Sequence, residues 1–77
     1  MKVSDVMTPD VEVVNPDDTL ETAAQVVWDR DSAALPVGEN DVLIGVITDR
    51  DITIRAVVEG RDPEKFTVRQ AMSSDAL

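Results

Sequence analysis

Apolar positions along the chain change their period several times, and each change marks an element. Leu20, Ala23, Ala24 and Val27 recur at the i, i+3, i+4, i+7 spacing of a buried helical stripe. Asp18 stands where a cap belongs, and Glu21, three residues on, can return a bond to the cap backbone, so a helix is expected to open there and to end at Asp29-Arg30-Asp31. Ahead of it, Val11-Glu12-Val13-Val14 is a β-branched run stopped by Asn15-Pro16, which predicts a strand followed by a turn. Val3-Ser4-Asp5-Val6-Met7 predicts a short helical turn ended by Thr8-Pro9, because a residue before proline is pushed out of the α region.

Two apolar runs, 33–37 and 42–48, flank Gly38-Glu39-Asn40-Asp41, a loop length and composition that predict a β-hairpin. Val42-Leu43-Ile44-Gly45-Val46-Ile47 is nearly all apolar, so this strand is expected to be central and covered on both faces. Thr48-Asp49-Arg50-Asp51 then opens a second long helix carrying Ile52, Ala56 and Val57, with Gly60 placed to end it and Pro63 preventing its resumption. The expected order is short helix, β, α, β, β, α. The fold class is α/β, in an α+β-like form: a mixed three-stranded sheet with two helices packed on it.

The tail repeats the beginning. Val68-Arg69-Gln70-Ala71-Met72-Ser73 shares with Val3-Ser4-Asp5-Val6-Met7-Thr8 the order Val, polar, polar, small or apolar, Met, hydroxyl. Its position just after one complete structural unit gives the echo its weight. The chain therefore divides into a unit over 1–60, a linker over 61–67 and the start of a second, truncated unit over 68–77. A last stretch lacking the strand that should follow it has little to bury, so 74–77 are expected to be mobile or to lie on a neighbouring chain.

Composition narrows the chemistry. The absence of both cysteine and histidine from the 77 residues removes thiolate and imidazole metal sites, Cys nucleophiles and His acid/base catalysis. No enzymatic activity is expected, since no nucleophile stands with a base. Sixteen acidic against seven basic residues, a net charge of -9, argue against nucleic acid and against an anionic membrane surface, both of which need clustered Lys and Arg. No apolar run approaches a membrane span, and the first residues lack a signal peptide's apolar core, so a cytoplasmic protein is expected. Only Trp28 and Phe66 are aromatic, a thin supply for a core, and a second copy or a partner is expected to complete it.

The segment Gly45-Val46-Ile47-Thr48-Asp49-Arg50-Asp51 is the most informative, because it joins a buried strand to a helix N-terminus whose unpaired amides attract anions. The Thr48 hydroxyl and the Arg50 guanidinium suit a phosphate, and the Asp51 carboxylate suits the two hydroxyls of a ribose. The same Thr48-x-x-Asp51 spacing is also a plain helix cap, and the spacing leaves both readings open. The acid pairs Asp29-x-Asp31 and Asp49-x-Asp51 lack the glycine and distal Glu of a calcium loop and read as solvated helix ends. Trp28, beside Val26 and Val27, reads as packing or interface ahead of a base-stacking residue.

Four strings taken together, Val3-Ser4-Asp5-Val6-Met7-Thr8, Asn15-Pro16-Asp17-Asp18-Thr19-Leu20, Ala33-Ala34-Leu35-Pro36-Val37 and Leu43-Ile44-Gly45-Val46-Ile47-Thr48-Asp49-Arg50-Asp51-Ile52, resemble a CBS domain, the module named after cystathionine β-synthase. The resemblance runs over residues 3–60 and resumes at Val68. It implies a non-catalytic regulatory module that occurs as tandem pairs and binds an adenosine-containing ligand. Carried over by position, Thr48 meets phosphate, with Arg50 beside it, and Asp51 meets the ribose. Ala33, Ala34, Leu35 and Pro36 line the adenine pocket, the Ala34 and Leu35 backbone reads the base edge, and Val13 flanks it. No cofactor is required; an adenine nucleotide or S-adenosylmethionine is the implied ligand. The implied partner is a second copy, in a homodimer that completes the CBS pair. The alternative is a purely structural dimerisation module with no ligand.

Overall fold

The computed structural model describes residues 1–5 and 11–73. The expectation for 74–77, and the Met7 to Pro9 end of the first helical turn, lie outside the described residues. A 3-10 turn at Val3–Asp5 comes first. Then follow α1 (Leu20–Arg30), β1 (Ala34–Glu39), β2 (Val42–Thr48), α2 (Asp49–Thr53), a π-helical continuation of α2 at Ile54–Val58, and the short α3 (Val68–Ala71).

The predicted stripe builds α1, with Leu20 and Ala23 fully buried. Its cap is Thr19, one residue later than expected: the Thr19 Oγ1 accepts from the Thr22 amide at 3.2 Å. Asp18 instead closes the preceding turn, its carboxylate accepting from the Asn15 amide while Asn15 Oδ1 accepts from the Asp17 amide. Residues 61–67 run across the start of α1, where the Phe66 and Pro63 carbonyls accept from the Leu20 and Glu21 amides, both at 2.9 Å. The first four amides of the helix are thus all satisfied, two of them from 40 residues away in sequence or more. Asp31 ends α1 in the left-handed conformation, φ 51°, its amide donating to the Val27 carbonyl.

β1 and β2 form the expected antiparallel hairpin, in register from Ala34 opposite Thr48 to Glu39 opposite Val42. Asn40 and Asp41 both have positive φ, 52° and 63°, so the turn is the tight two-residue kind, and Gly38 and Glu39 belong to β1 rather than to the loop. A bulge sets Val37 opposite Gly45 but Gly38 opposite Leu43. β2 alternates instead of being buried on both faces: Leu43, Gly45 and Ile47 are buried, while Ile44 and Val46 are half-buried and Val42 is exposed.

The sheet has two strands where three were expected. The run 11–14 contributes one parallel bridge, Val14 to Val37, in which the Val14 amide donates to the Pro36 carbonyl and the Gly38 amide to the Val14 carbonyl, both at 3.0 Å. The next rung toward the N-terminus requires an N–H at residue 36, and Pro36 has none, so the parallel ladder stops.

Val14, Leu20, Ala23, Leu35, Val37, Ile47, Val68 and Ala71 form the core, flanked by Val26, Val27, Ile44, Ile52, Phe66 and Met72. Lys2, just before the first echoed segment, and Ser73, the last residue of the second, reach the outer edge of β2, bridging Val42 and Val46. α3 carries a complete capping box, the Thr67 hydroxyl accepting from the Gln70 amide and the Gln70 side chain accepting from the Thr67 amide. The second long helix departs from expectation at its far half. From Ile54 the bonding widens to i, i+5, the Glu59 amide donating to the Ile54 carbonyl, and Val57 and Val58 turn outward to 75% exposure each. Gly60 ends it with φ 68°, as its position predicts.

Candidate functional site

Ile47 is fully buried, and the chain leaves the sheet at the next residue, where Thr48 adopts an extended conformation and caps α2. Its hydroxyl accepts from the Asp51 amide at 3.1 Å, and its amide donates to Asp51 Oδ2 at 2.9 Å. This reciprocal box occupies one carboxylate oxygen of Asp51. The Asp49 amide donates to the Ala33 carbonyl at 2.9 Å, tying the start of α2 to the entry of β1. Since Ala34 is the register partner of Thr48, the two exposed alanines, 33 and 34, lie directly beside the Thr48–Asp51 turn.

The structure therefore brings together Ala33, Ala34, Thr48, Arg50 and Asp51. Arg50 lies in the first turn of α2, exposed, with no hydrogen bond or ion pair among the described residues. Leu35 is 2% exposed and its side chain belongs to the core, which leaves only its backbone for a ligand. Pro36 is half-buried, its carbonyl already bonded to the Val14 amide. Val13 precedes the parallel Val14–Val37 bridge, so its backbone stands level with Pro36. Its side chain packs over Gly38, where an added Cβ would come within 2.9 Å of it, and it lines a cleft of about 300 Å³ with Val3, Val14, Asn15, Gly38 and Asp41.

A larger cleft, about 380 Å³, opens between the end of α1 and the start of α2, lined by Val27, Trp28, Asp31, Ser32, Ala33 and Asp49. Of the residues singled out for a ligand, only Ala33 reaches it. Trp28 is 82% exposed, so within this chain it is not a packing residue. No spacing in the sequence joins Trp28 and Asp31 to Asp49; their meeting depends on how α1 folds back against α2. Asp29 is turned to its own helix, accepting from the Gln25 side chain at 2.9 Å. Among the described residues no three acidic side chains gather as a metal site. Among the described residues the electrostatically perturbed group is Glu59, at the end of the π-helical segment, where hydrogen bonds from the Arg55 guanidinium, with a smaller contribution from Arg61, hold its carboxyl below the usual range despite partial desolvation.

Comparison with known proteins agrees with this architecture. The model of the CBS domain family matches residues 3–57. The CBS domain-containing protein YhcV of Bacillus subtilis is 40% identical over 75 residues, covering 97% of this chain and 53% of that protein. Hypoxic response protein 1 of Mycobacterium tuberculosis is 42% identical over 64 residues, covering 82% of this chain and 45% of that protein. This chain thus spans about half the length of the curated relatives it matches. Among solved structures, a cystathionine β-synthase domain protein fused to a Zn-ribbon-like domain superposes with a TM-score of 0.78 at 31% identity, over 83% of this chain and 91% of that one. Hypoxic Response Protein I with two coordinated zinc ions superposes with a TM-score of 0.75 at 37% identity, over 94% and 61%. By sequence and by fold alike, the chain belongs to the family of CBS domains, regulatory modules that are typically non-catalytic.

Proposed function

We propose that this chain is a non-catalytic sensing module of the cytoplasm that binds an adenosine-containing ligand, of the AMP, ADP or ATP type or S-adenosylmethionine, on the turn from β2 to α2, and that two copies associate to complete the CBS pair. The observation that carries the reading is the convergence of small, exposed Ala33 and Ala34 with Thr48, Arg50 and Asp51 at one end of the hairpin. Asp51 spends only Oδ2 on the Thr48 amide, which leaves Oδ1 for a ribose hydroxyl, while the unpartnered Arg50 guanidinium suits a phosphate. Val57 and Val58, exposed side by side beyond α2, supply apolar surface for the second copy. In this reading residues 1–60 form one module, 61–67 the link and 68–77 the start of the next, in keeping with relatives about twice as long.

The complete capping box favours one rival, a structural dimerisation module in which Thr48 and Asp51 only cap α2. Calorimetry with AMP or ATP on the parent chain and on Asp51→Ala separates them. On the ligand reading, loss of a charge-assisted hydrogen bond of about 1.5–3 kcal/mol weakens binding about tenfold to a hundredfold. On the capping reading the parent chain gives no binding heat with any adenosine compound at millimolar concentration, and the substitution only lowers the melting temperature. Light scattering that returns a monomer at tens of micromolar overturns the dimer.

A further inference from the structure

The cleft between the end of α1 and the start of α2 carries acidic side chains and no basic one. Its lining has two carboxylates, Asp31 and Asp49, and no Lys or Arg. Neither carboxylate has a hydrogen bond or ion pair among the described residues, in contrast to Asp18, Asp29 and Asp51, whose carboxylates are all engaged. Asp31 and Ser32 directly follow the last residue of α1, so the negative end of the helix dipole adds to the same field. The neighbouring guanidinium of Arg30 is directed to Glu12, at 2.9 Å. Beside these charges lies the 82% exposed indole of Trp28, whose face attracts cations through its quadrupole. At about 380 Å³ the cleft is within the range of small-molecule sites.

From this charge complementarity we infer that the cleft binds a small organic cation with a guanidinium or ammonium head, stacked on Trp28 and paired with Asp31 and Asp49. The inference uses neither Thr48 nor Asp51, and Ala33 is the residue the cleft shares with the proposed adenosine site.

Trp28 is the only tryptophan and the chain has no tyrosine, so its emission reports on this cleft alone. The full chain is titrated with agmatine, and with N-butylurea as a neutral planar counterpart. Agmatine is expected to change the emission saturably and N-butylurea is not. Asp31→Asn with Asp49→Asn is expected to raise the half-saturating agmatine concentration by about tenfold or more. Asparagine tolerates the left-handed φ of 51° at residue 31, and far-UV circular dichroism checks that the doubly substituted chain is folded. In the parent chain, raising NaCl from about 20 to about 200 mM is expected to weaken the effect, an arm that needs no substitution. Equal, linear quenching by both compounds, a half-saturation unmoved by the two substitutions in a folded chain, or one indifferent to salt overturns the proposal.

Discussion

Gly45 tests whether the tail is part of the fold. A Cβ at this position falls 2.8 Å from the Ser73 carbonyl oxygen and 3.0 Å from Met72 Sδ. The methionine sulfur can swing aside, but the carbonyl is backbone of a residue held by two bonds: the Val46 amide donates to the Ser73 carbonyl at 3.0 Å and the Ser73 amide to the Val46 carbonyl at 2.9 Å. Gly45→Ala therefore has two outcomes, and the protein takes the less unfavourable. If the tail stays, crowding in a packed site costs about 1–3 kcal/mol. If it peels away, the two bonds are lost at a net of about 0.5–1.5 kcal/mol each, together with the burial of Met72. Gly45 has no positive φ, so alanine carries no backbone strain and recovers about 0.4–1 kcal/mol by restricting the unfolded chain. The net destabilisation is about 1–2 kcal/mol, a fall in melting temperature of about 5–15 °C for a domain of this size.

Thermal unfolding followed by circular dichroism gives that shift, and amide exchange at Val46 and Ser73 gives its origin. Gly60→Ala is the control. Nothing lies within 4 Å of its Cβ, but its φ of 68° is strained for alanine by about 1 kcal/mol or more, so it lowers stability while leaving the Val46 and Ser73 amides protected. A Gly45→Ala chain that melts no lower than its parent and keeps both amides protected refutes the argument.

Leu20→Ala, at a fully buried core position, is expected to lower unfolding free energy by about 2–5 kcal/mol, read as an earlier urea midpoint with unchanged slope. The bonds from Arg55, at 2.9 and 3.1 Å, stabilise the ionised form of Glu59 and set its folded pKa below its unfolded one. Their contribution is therefore complete above the unfolded value of 4.5 and is lost as pH falls through the folded value. Stability curves of the parent and Glu59→Gln should differ slightly above that pH and converge below it; a gap that widens in acid contradicts the assignment.

Local chemistry settled much of this protein in advance. Short-range pattern was enough for the stripe of α1, the hairpin and the left-handed stop at Gly60, since helix periodicity, Asn-Asp turn preference and glycine's freedom at positive φ act between near neighbours. The Thr48–Asp51 box was legible for the same reason, its two bonds spanning three residues. Wherever a partner comes from far along the chain, the tertiary structure decided. The third strand stops at Val14 because Pro36, 22 residues on, offers no amide, and Asp18 loses its capping role because the turn before it competes for its carboxylate. Trp28, read as packing or interface from its valine neighbours, stands exposed beside Asp49, a juxtaposition no periodicity encodes. The place of Val13 likewise depends on a distant partner: the parallel Val14–Val37 bridge sets its backbone level with Pro36, while its side chain packs over Gly38.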